Sequence, residues 1–493
     1  MNNSEQYLVR LEKINKLKDN GIEPFGKAFK RDSSIVDILN KYSKKDGEFF
    51  DQKKLYFSIA GRVMLKRGQG KAGFMHIKDA SGLLQIYTRL NDLGENVYNK
   101  IVKESDLGDI IGVKGYLFKT RTNELTLRVE EYTHLSKSLR PLPDKFHGLA
   151  DKEIARRKRY LDLLTNSKSF DVAIQRSKLI KIIRQFFDEK NFIEVETPIL
   201  QKSIGGASAR PFYTHHNALD MNFSLRIATE LPLKKLIVGG MEAVYEIGRL
   251  FRNEGMDSSH NPEFTTVEAY LAYSDMEGMM NLIEDLLVKI SNSLLNSSIV
   301  EYDNKSISFE KPISRIHMVE AIQKDSGVDF FKVQSKNEAE KLAKKHAVEI
   351  KPYFTFGHIV EAFFDKFSLN KIVQPTFIYG HPIEISPLAK KSDHDPRFTE
   401  RFELFIAGKE YANAFTEINN PIEQKKRFES QIEQRKLGNE ETSDIDFDYI
   451  EALEYGMPPT GGLGIGIDRL AMLFTNTPNI RDVILFPHLK NKE

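Results

Sequence analysis

Cysteine is absent from all 493 residues. Its absence excludes disulfides, thiolate zinc sites and cysteine nucleophiles, and it fits a reducing compartment. An excess of one charge is missing too: 72 basic residues nearly cancel 70 acidic ones, leaving a net charge of +2. Any affinity for nucleic acid therefore has to come from local patches and not from a global field. No stretch approaches the ~20 apolar residues that span a bilayer. The N-terminal MNNSEQYLVRLEKINKLKDNG is interrupted by charge every few residues and carries no signal-peptide core. These absences lead us to expect a soluble cytoplasmic protein with no membrane partner. A P-loop is lacking as well: GQGKAG (68–73) has neither the four-residue gap nor the Lys-Ser/Thr ending and reads as a turn between strands.

What is present is ordinary in bulk, with 40% hydrophobic and 29% charged residues. The length calls for two or three domains. Residues 4–20 read as a helix with Leu8, Leu11, Ile14 and Leu17 on one face and Arg10, Lys13, Lys16 and Lys18 elsewhere, stopped by Gly21. Five short strands follow, at 55–65, 73–79, 82–90, 109–120 and 125–135, with a helix-like stretch at 93–104 between the third and fourth. That spacing predicts a small Greek-key barrel of the OB type, a fold that stacks single-stranded bases on exposed rings. Two prolines and a basic run at 138–164 mark the boundary. Beyond it, an amphipathic helix over about 168–190 buries Val172, Leu179, Ile183, Phe186 and Phe187 and leads into the strand FIEVETP (192–198). The remaining 300 or so residues alternate without a βαβ rhythm, which predicts a mixed, largely antiparallel sheet.

Several short motifs bear on chemistry. His215 and His216 are adjacent, so on a strand they face opposite ways and make a poor chelate. HIVE (358–361) has helical i,i+3 spacing and no matching partner elsewhere, so we read it as structural. GGLGIGIDRLAML (461–473) strips side chains from a strand at four positions, which implies that something flat approaches the backbone there. The arginine just beyond suits a phosphate. Glu403 and Glu410 flank the turn IAGK. A hairpin could pair them for Mg²⁺, although by spacing alone two outward-facing surface acids are the simpler reading.

In order, FIEVETP with its preceding helix, FRNEGMDSSHNPEF (251–264) and GLGIGIDR (462–469) resemble the three signature motifs of class II aminoacyl-tRNA synthetases. The strings RPLPDKFHGL, KRYLDLL, GGASARPF, THHNALD, RIATEL, YANAFTE, PPTGGLGIGIDR and RDVILFP resemble the bacterial-type lysyl-tRNA synthetases in particular, from residue 55 to the end. The class I signatures HIGH and KMSKS have no counterpart. The resemblance implies an α+β multidomain fold: an N-terminal five-stranded OB-type β-barrel that reads the anticodon, and a class II catalytic domain built on an antiparallel β-sheet flanked by helices. The expected limits are 1–54 for an N-terminal helical extension, 55–140 for the barrel, 141–168 for a linker and 169–493 for the catalytic domain, with a peripheral insertion around 300–350. The implied activity joins lysine and ATP as lysyl-adenylate and passes the lysyl group to tRNA(Lys), in a homodimer that pairs through the first motif.

The resemblance also implies residue roles. Arg252 bridges the lysine carboxylate and the α-phosphate, and Arg469 holds the terminal phosphates. Glu254, His260, Asn261 and Phe264 line the ATP pocket, with the Phe264 ring on the adenine. Glu403 and Glu410 match magnesium ligands, against the reading from spacing. Glu417 and Tyr270 receive the ε-ammonium, with Gly206, Glu230, Glu268, Asn413, Phe415 and Gly464 around the rest of the lysine. In the barrel, Phe74 and Gln85 match anticodon contacts, supported by Arg62, Arg67 and Glu124. Acids around a small substrate suit a cationic amino acid, which argues against the aspartyl and asparaginyl relatives. A non-catalytic tRNA-binding paralogue would have no use for Arg252, Glu403, Glu410 and Arg469. Two positions depart from the pattern. Asn191 stands where the first motif usually begins with glycine, a position able to share the same left-handed turn. Ser259 stands where relatives usually carry an arginine for the γ-phosphate, which implies weaker ATP binding or a cation supplied from elsewhere.

Overall fold

The computed structural model describes residues 5–68, 70–143, 151–202, 205–206, 209–439 and 445–490. Parts of RPLPDKFHGL and GGASARPF, and Gln69 of GQGKAG, lie outside the described residues. The chain divides into two compact units, Met1–Ala150 and Asp151–Glu493.

The first unit begins with α1 (Glu5–Asp19). Its buried side chains are Arg10, Ile14 and Leu17, while Leu8 and Leu11 are exposed, so the expected apolar face is rotated. The reason is Arg10, whose guanidinium donates to the Ser138 and Arg140 carbonyls at 2.9 and 3.2 Å. Strands β1 (Tyr56–Arg67), β2 (Ala72–Lys78), β3 (Leu83–Arg89), β4 (Ile110–Lys119) and β5 (Leu125–Ser136) close a barrel in the order β1-β2-β3-β5-β4. Alternation sends Met75, Ile77, Leu84, Ile86, Leu127 and Val129 inward to a shared core. A side chain at Gly115 would overlap the Arg128 carbonyl, so glycine is required where β4 crosses β5 at a register shift. GQGKAG spans the β1–β2 turn, as its sequence predicts.

The second unit is built on eight strands. They are β6 (Ile193–Glu194), β7 (Ala243–Phe251), β8 (Glu263–Ala272), β9 (Ser314–His317), β10 (Thr376–Tyr379), β11 (Arg401–Ile406), β12 (Lys409–Thr416) and β13 (Thr460–Gly466), in the order β9-β10-β11-β12-β13-β8-β7-β6. All neighbours are antiparallel except the end pairs β9–β10 and β7–β6. One face packs under α2 (Ser167–Glu189) and α4 (Met276–Leu295), taking Val267, Ala269, Leu463, Ile465, Ala412, Ala414, Phe402 and Leu404 into one core. The opposite face carries the intervening residues and is the floor of the cavity described below. Around it stand α3 (Glu230–Val238), α5 (Phe356–Phe367) and α6 (Phe447–Glu454), while α7 (Ile467–Phe474) packs into the core of the first face.

Several boundaries differ from expectation. The stretch taken as a linker contains the helices Lys152–Arg157 and Arg159–Thr165, which belong to the second unit, and Arg159 is buried against the Leu485 and Arg481 carbonyls. Only Ile193 and Glu194 of FIEVETP pair as strand. The segment around 300–350 is not merely peripheral, because β9 is an edge strand of the main sheet and Met318, Ile322 and Phe330 share a core with α5. Its polar, lysine-rich surface hid that core. Asn191, by contrast, takes φ 61°, the left-handed turn for which asparagine substitutes for glycine.

Candidate active site

Two transverse rows on the open face of the sheet organise the site. Glu246, Glu268, Gly464, Asn413 and Glu403 are successive cross-strand partners, and Tyr270, Gly462, Phe415 and Arg401 form the next row. The glycines of β13 therefore lie in the middle of each row. At Gly462 a Cβ would collide with Glu417 Oε1 and the Tyr270 ring, so the group that approaches this backbone is the protein's own. At Gly464 the nearest side-chain atom is Glu268 Cγ, 3.6 Å from where a Cβ would sit, and the strand opens to the cavity.

A cavity of about 700 Å³ lies over these rows. Arg252, Glu254, His260, Asn261, Phe264, Arg469, Gly206, Glu230, Glu268, Tyr270, Asn413, Phe415, Gly464, Glu403 and Glu410 all line it. Glu417 alone of the expected set in this unit is set behind the wall, fully buried.

The two candidate magnesium carboxylates owe their position to a bulge. Leu404 pairs with Ala412 but Phe405 pairs with Glu410, leaving Tyr411 as the extra residue. Without it, the three-residue step from Asn413 to Glu410 would point Glu410 into the core. With it, Glu410 shares the cavity face with Glu403, which corrects the picture of outward-facing surface acids. Burial raises the Glu410 carboxyl and Glu403 raises it further, the signature of two acids that would share a cation. Two carboxylates with room for phosphate beside them fit Mg²⁺, which takes one or two protein carboxylates and substrate oxygens. No cluster of three or more potential metal ligands occurs among the described residues, so a closed protein-only metal site is not present there.

Arg252 enters from the end of β7. Its guanidinium lies 5.2 Å from the Phe264 ring centre, and its buried Nε has no partner in the structure. A half-buried guanidinium facing a cavity with an unpartnered Nε is suited to an incoming anion. The loop that follows is braced. Asp257 accepts from the Ser259 and His260 backbone amides, at 2.6 and 2.8 Å, and sits 2.8 Å from His260 Nδ1. His260 Nε2 lies 3.2 Å from an Arg469 nitrogen. Guanidinium only donates, so Nε2 accepts and Nδ1 carries the proton toward Asp257. Arg469 also donates to the Glu410 carbonyl at 2.5 Å. Ser259 lines the cavity near these groups, and the other cations on the wall are Lys351 and Arg401.

The end of the cavity around Glu230 and Glu268 is acidic. Burial, reinforced by Glu230, raises the Glu268 carboxyl to about 7. Glu230 ion-pairs with Lys234 at 2.5 Å, and Lys234 also ion-pairs with Glu417. Lys234 is fully buried, with the Phe415, Tyr449 and Tyr270 ring centres 5.4, 5.7 and 6.0 Å from its Nζ. Glu417 Oε1 is buried without a hydrogen-bond partner, a poor arrangement unless a cation arrives.

Several of these residues were not read from sequence. Lys234 follows Glu230 by four residues, an i,i+4 spacing that could have been noticed. Arg401 holds Asn413 Oδ1 at 2.9 Å and Glu403 Oε1 at 2.6 Å. His358 caps the start of α5 through Thr355, as a structural reading of HIVE expects, and with Glu361, Tyr353 and Phe354 it also lines the cavity. Burial raises Glu361 to about 7, with Glu403 adding to it and Arg401 opposing. Asp468 anchors the third motif, accepting from Arg176 at 2.6 Å and from the Thr265 amide at 2.8 Å. His215 and His216 are exposed and bonded within their own hairpin.

In the barrel, Phe74 and Gln85 stand on the outer face of adjacent strands. The Phe74 ring lies 4.8 Å from Tyr87, which lies 6.0 Å from Phe118, making a ladder of rings. Gln85 is nearly buried and donates to Thr126 Oγ1 at 2.9 Å, and Glu124 lies 3.2 Å from His76 Nε2. Arg67 is paired across from Phe74. Arg62 stands apart from this group in its bonding, since its guanidinium donates to the Gly108 carbonyl at 2.7 Å. Tyr87 and Phe118 escaped the sequence reading because strand aromatics are as often core as surface.

An antiparallel sheet whose open face gathers an arginine with an unpartnered Nε, two neighbouring carboxylates and an acidic end in one cavity is the arrangement expected of a class II nucleotidyl-activating domain, and the barrel is a second, separate module. Comparison with known proteins agrees. Residues 151–490 match the tRNA synthetases class II (D, K and N), and residues 57–135 match the OB-fold nucleic acid binding domain. The chain belongs to the class II tRNA synthetase family. It is 55% identical over 489 residues to a lysine–tRNA ligase of Onion yellows phytoplasma (strain OY-M), covering 99% of this chain and 95% of that protein. It is 56% identical to the enzyme of that name from Aster yellows witches'-broom phytoplasma (strain AYWB), with 99% and 98% covered. To that of Bacillus cereus (strain B4264) it is 54% identical, again with 99% and 98% covered.

Proposed function

We propose that the chain is a lysine–tRNA ligase that activates L-lysine with ATP and charges tRNA(Lys). The observation that carries this reading is the cavity that Arg252, with its unpartnered Nε, shares with the acids Glu230 and Glu268, with Glu417 buried behind its wall at Gly462. A zwitterion with a second ammonium complements that set, and a neutral side chain would leave a buried carboxylate unpaired.

The chemistry requires little acid–base work. The lysine carboxylate is already ionised, and one of its oxygens attacks the α-phosphorus of ATP. Pyrophosphate leaves with the bond electrons, and lysyl-adenylate remains. Arg252 would hold the carboxylate against the α-phosphate and offset charge in the transition state, while Arg469 and His260 would hold the leaving phosphates. Phe264, already stacked by Arg252, would present its other face to adenine. Magnesium arriving with ATP would be held by Glu403 and Glu410 and would neutralise phosphate charge. In the second step the terminal ribose hydroxyl of the tRNA attacks the lysyl carbonyl and AMP leaves. Phe74 and Gln85 would engage the anticodon, the first by stacking and the second by hydrogen bonds.

Two further readings are part of the proposal. The chain acts in the cytoplasm; among the described residues no helix is long and apolar enough to cross a membrane. It works as a homodimer, a reading supported by the half-exposed Ile193 on the two-residue edge strand β6. Charging of tRNA(Lys) with radiolabelled lysine tests the activity, and light scattering after gel filtration tests the dimer.

A further inference from the structure

We propose that Lys234 is a built-in counter-ion that tunes the amino-acid end of the cavity to a substrate carrying two ammonium groups. The inference rests on the lysine reading above and adds a positioning residue to it.

Lys234 sits one helical turn after Glu230 on α3, is wholly buried, and does not reach the cavity wall. Its ammonium takes one oxygen of Glu230, at 2.5 Å, and Glu417 Oε2. The rings of Tyr270, Phe415 and Tyr449 surround the rest of it. Glu417 Oε1 is left over, and it presses toward the wall at Gly462, where the missing side chain makes room for it. The internal lysine therefore occupies one side of Glu417 and leaves the other side to be matched.

The charge count follows. Glu230, Glu268 and Glu417 ionised carry three negative charges, and Lys234 cancels one. The two that remain equal the α- and ε-ammonium groups of free lysine, whose carboxylate goes to Arg252. An amino acid with one ammonium would leave a buried negative charge uncompensated, a costly state. Lys234 thus helps select a diamino acid without touching it.

Lys234 also keeps the acids ionisable. Burial raises the Glu417 and Glu230 carboxyls, and in both the ammonium of Lys234 is the largest opposing influence. The other groups that face this cluster are Glu268 and Tyr270 from β8, Arg401 from β11 and Tyr449 from α6. Beyond Lys234, only Arg401 among them is cationic, and it is committed to Glu403 and Asn413. With Lys234 removed, Glu417 and Glu230 would take protons at higher pH, and the ionised forms that attract an ammonium would be harder to reach.

The test is lysine-dependent pyrophosphate exchange by the full chain and its Lys234→Met variant, from pH 6 to pH 9. The expected result is a lysine KM raised at least about tenfold at pH 7. The rise in KM toward acid pH should begin at higher pH than in the parent, with the ATP KM unchanged. A purely structural loss would lower the amount of active enzyme and move neither the lysine KM nor its pH dependence, and that result would overturn the proposal. If Lys234→Met does not fold, Glu230→Gln/Lys234→Met removes the ion pair as a neutral unit and is compared with Glu230→Gln alone. Coincident pH profiles for those two would equally overturn it. A parent chain with no lysine-dependent exchange would instead overturn the lysine reading, and this inference with it.

Discussion

The outer face of the barrel and the cavity of the second unit are both built to tell one small group from another, but they use opposite means. On the barrel, the ladder Phe74, Tyr87 and Phe118 offers ring faces at the surface, and Gln85 and Glu124 add polar edges beside it. Stacking contributes ~1–3 kcal/mol per base and accepts any base. In the cavity and just behind its wall, the deciding groups are the buried charges of Glu230, Glu268, Glu417 and Lys234, together with the half-buried Arg252. An unmatched buried charge costs several kcal/mol, so discrimination there is steep. Errors on the barrel should weaken the reaction, and errors in the cavity should stop it.

The largest effect expected is at Arg252. Arg252→Ala should lower kcat/KM for lysine-dependent pyrophosphate exchange by about a thousandfold or more, because a preorganised partner of transition-state charge is lost. A loss under tenfold would remove Arg252 from the chemistry. Phe74→Ala should reduce the kcat/KM of tRNA charging by about 10- to 100-fold, from the stacking energy of one base, and leave exchange untouched. A parallel fall in exchange would break the division of labour between the two regions.

The third effect is a pH dependence. The Glu268 carboxyl is raised to about 7 by burial and by Glu230. An ammonium prefers the ionised form, so lysine binding should strengthen as pH rises through 7 and weaken as pH falls below it. The lysine KM should therefore increase several-fold between pH 7.5 and pH 6, and Glu268→Gln should flatten that change. A KM that fell toward acid pH would contradict the assignment. Smallest is Ser259→Arg, which should lower the ATP KM a few-fold if the loop lacks a cation. An unchanged KM would indicate that a wall cation such as Lys351 already fills the role.

The sequence was most legible where period and motif coincide. The five barrel strands, the helix over 167–189 and the glycine-stripped strand lie where alternation and helical spacing predict. Alternation failed where the backbone departs from it. Glu410 reaches the cavity only because Tyr411 is bulged, which no spacing argument reveals. Leu8 and Leu11 are exposed because Arg10 binds carbonyls more than a hundred residues away in sequence. The glycines of β13 correctly signalled close approach, but Gly462 accommodates Glu417 and Tyr270 and not a ligand. The burial of Lys234 escapes a spacing argument, and Glu361 in HIVE reads as structural, for the same reason: a charged residue on an amphipathic helix is usually solvated, and only tertiary packing turns it inward.

The most direct test of the account is pyrophosphate exchange with each of the twenty amino acids in turn, supplied with ATP and magnesium. Exchange with lysine, and at most traces with the other nineteen, is the predicted result. Robust exchange with aspartate or asparagine, or none with lysine, would contradict the claim that buried carboxylates around Lys234 select a diamino acid.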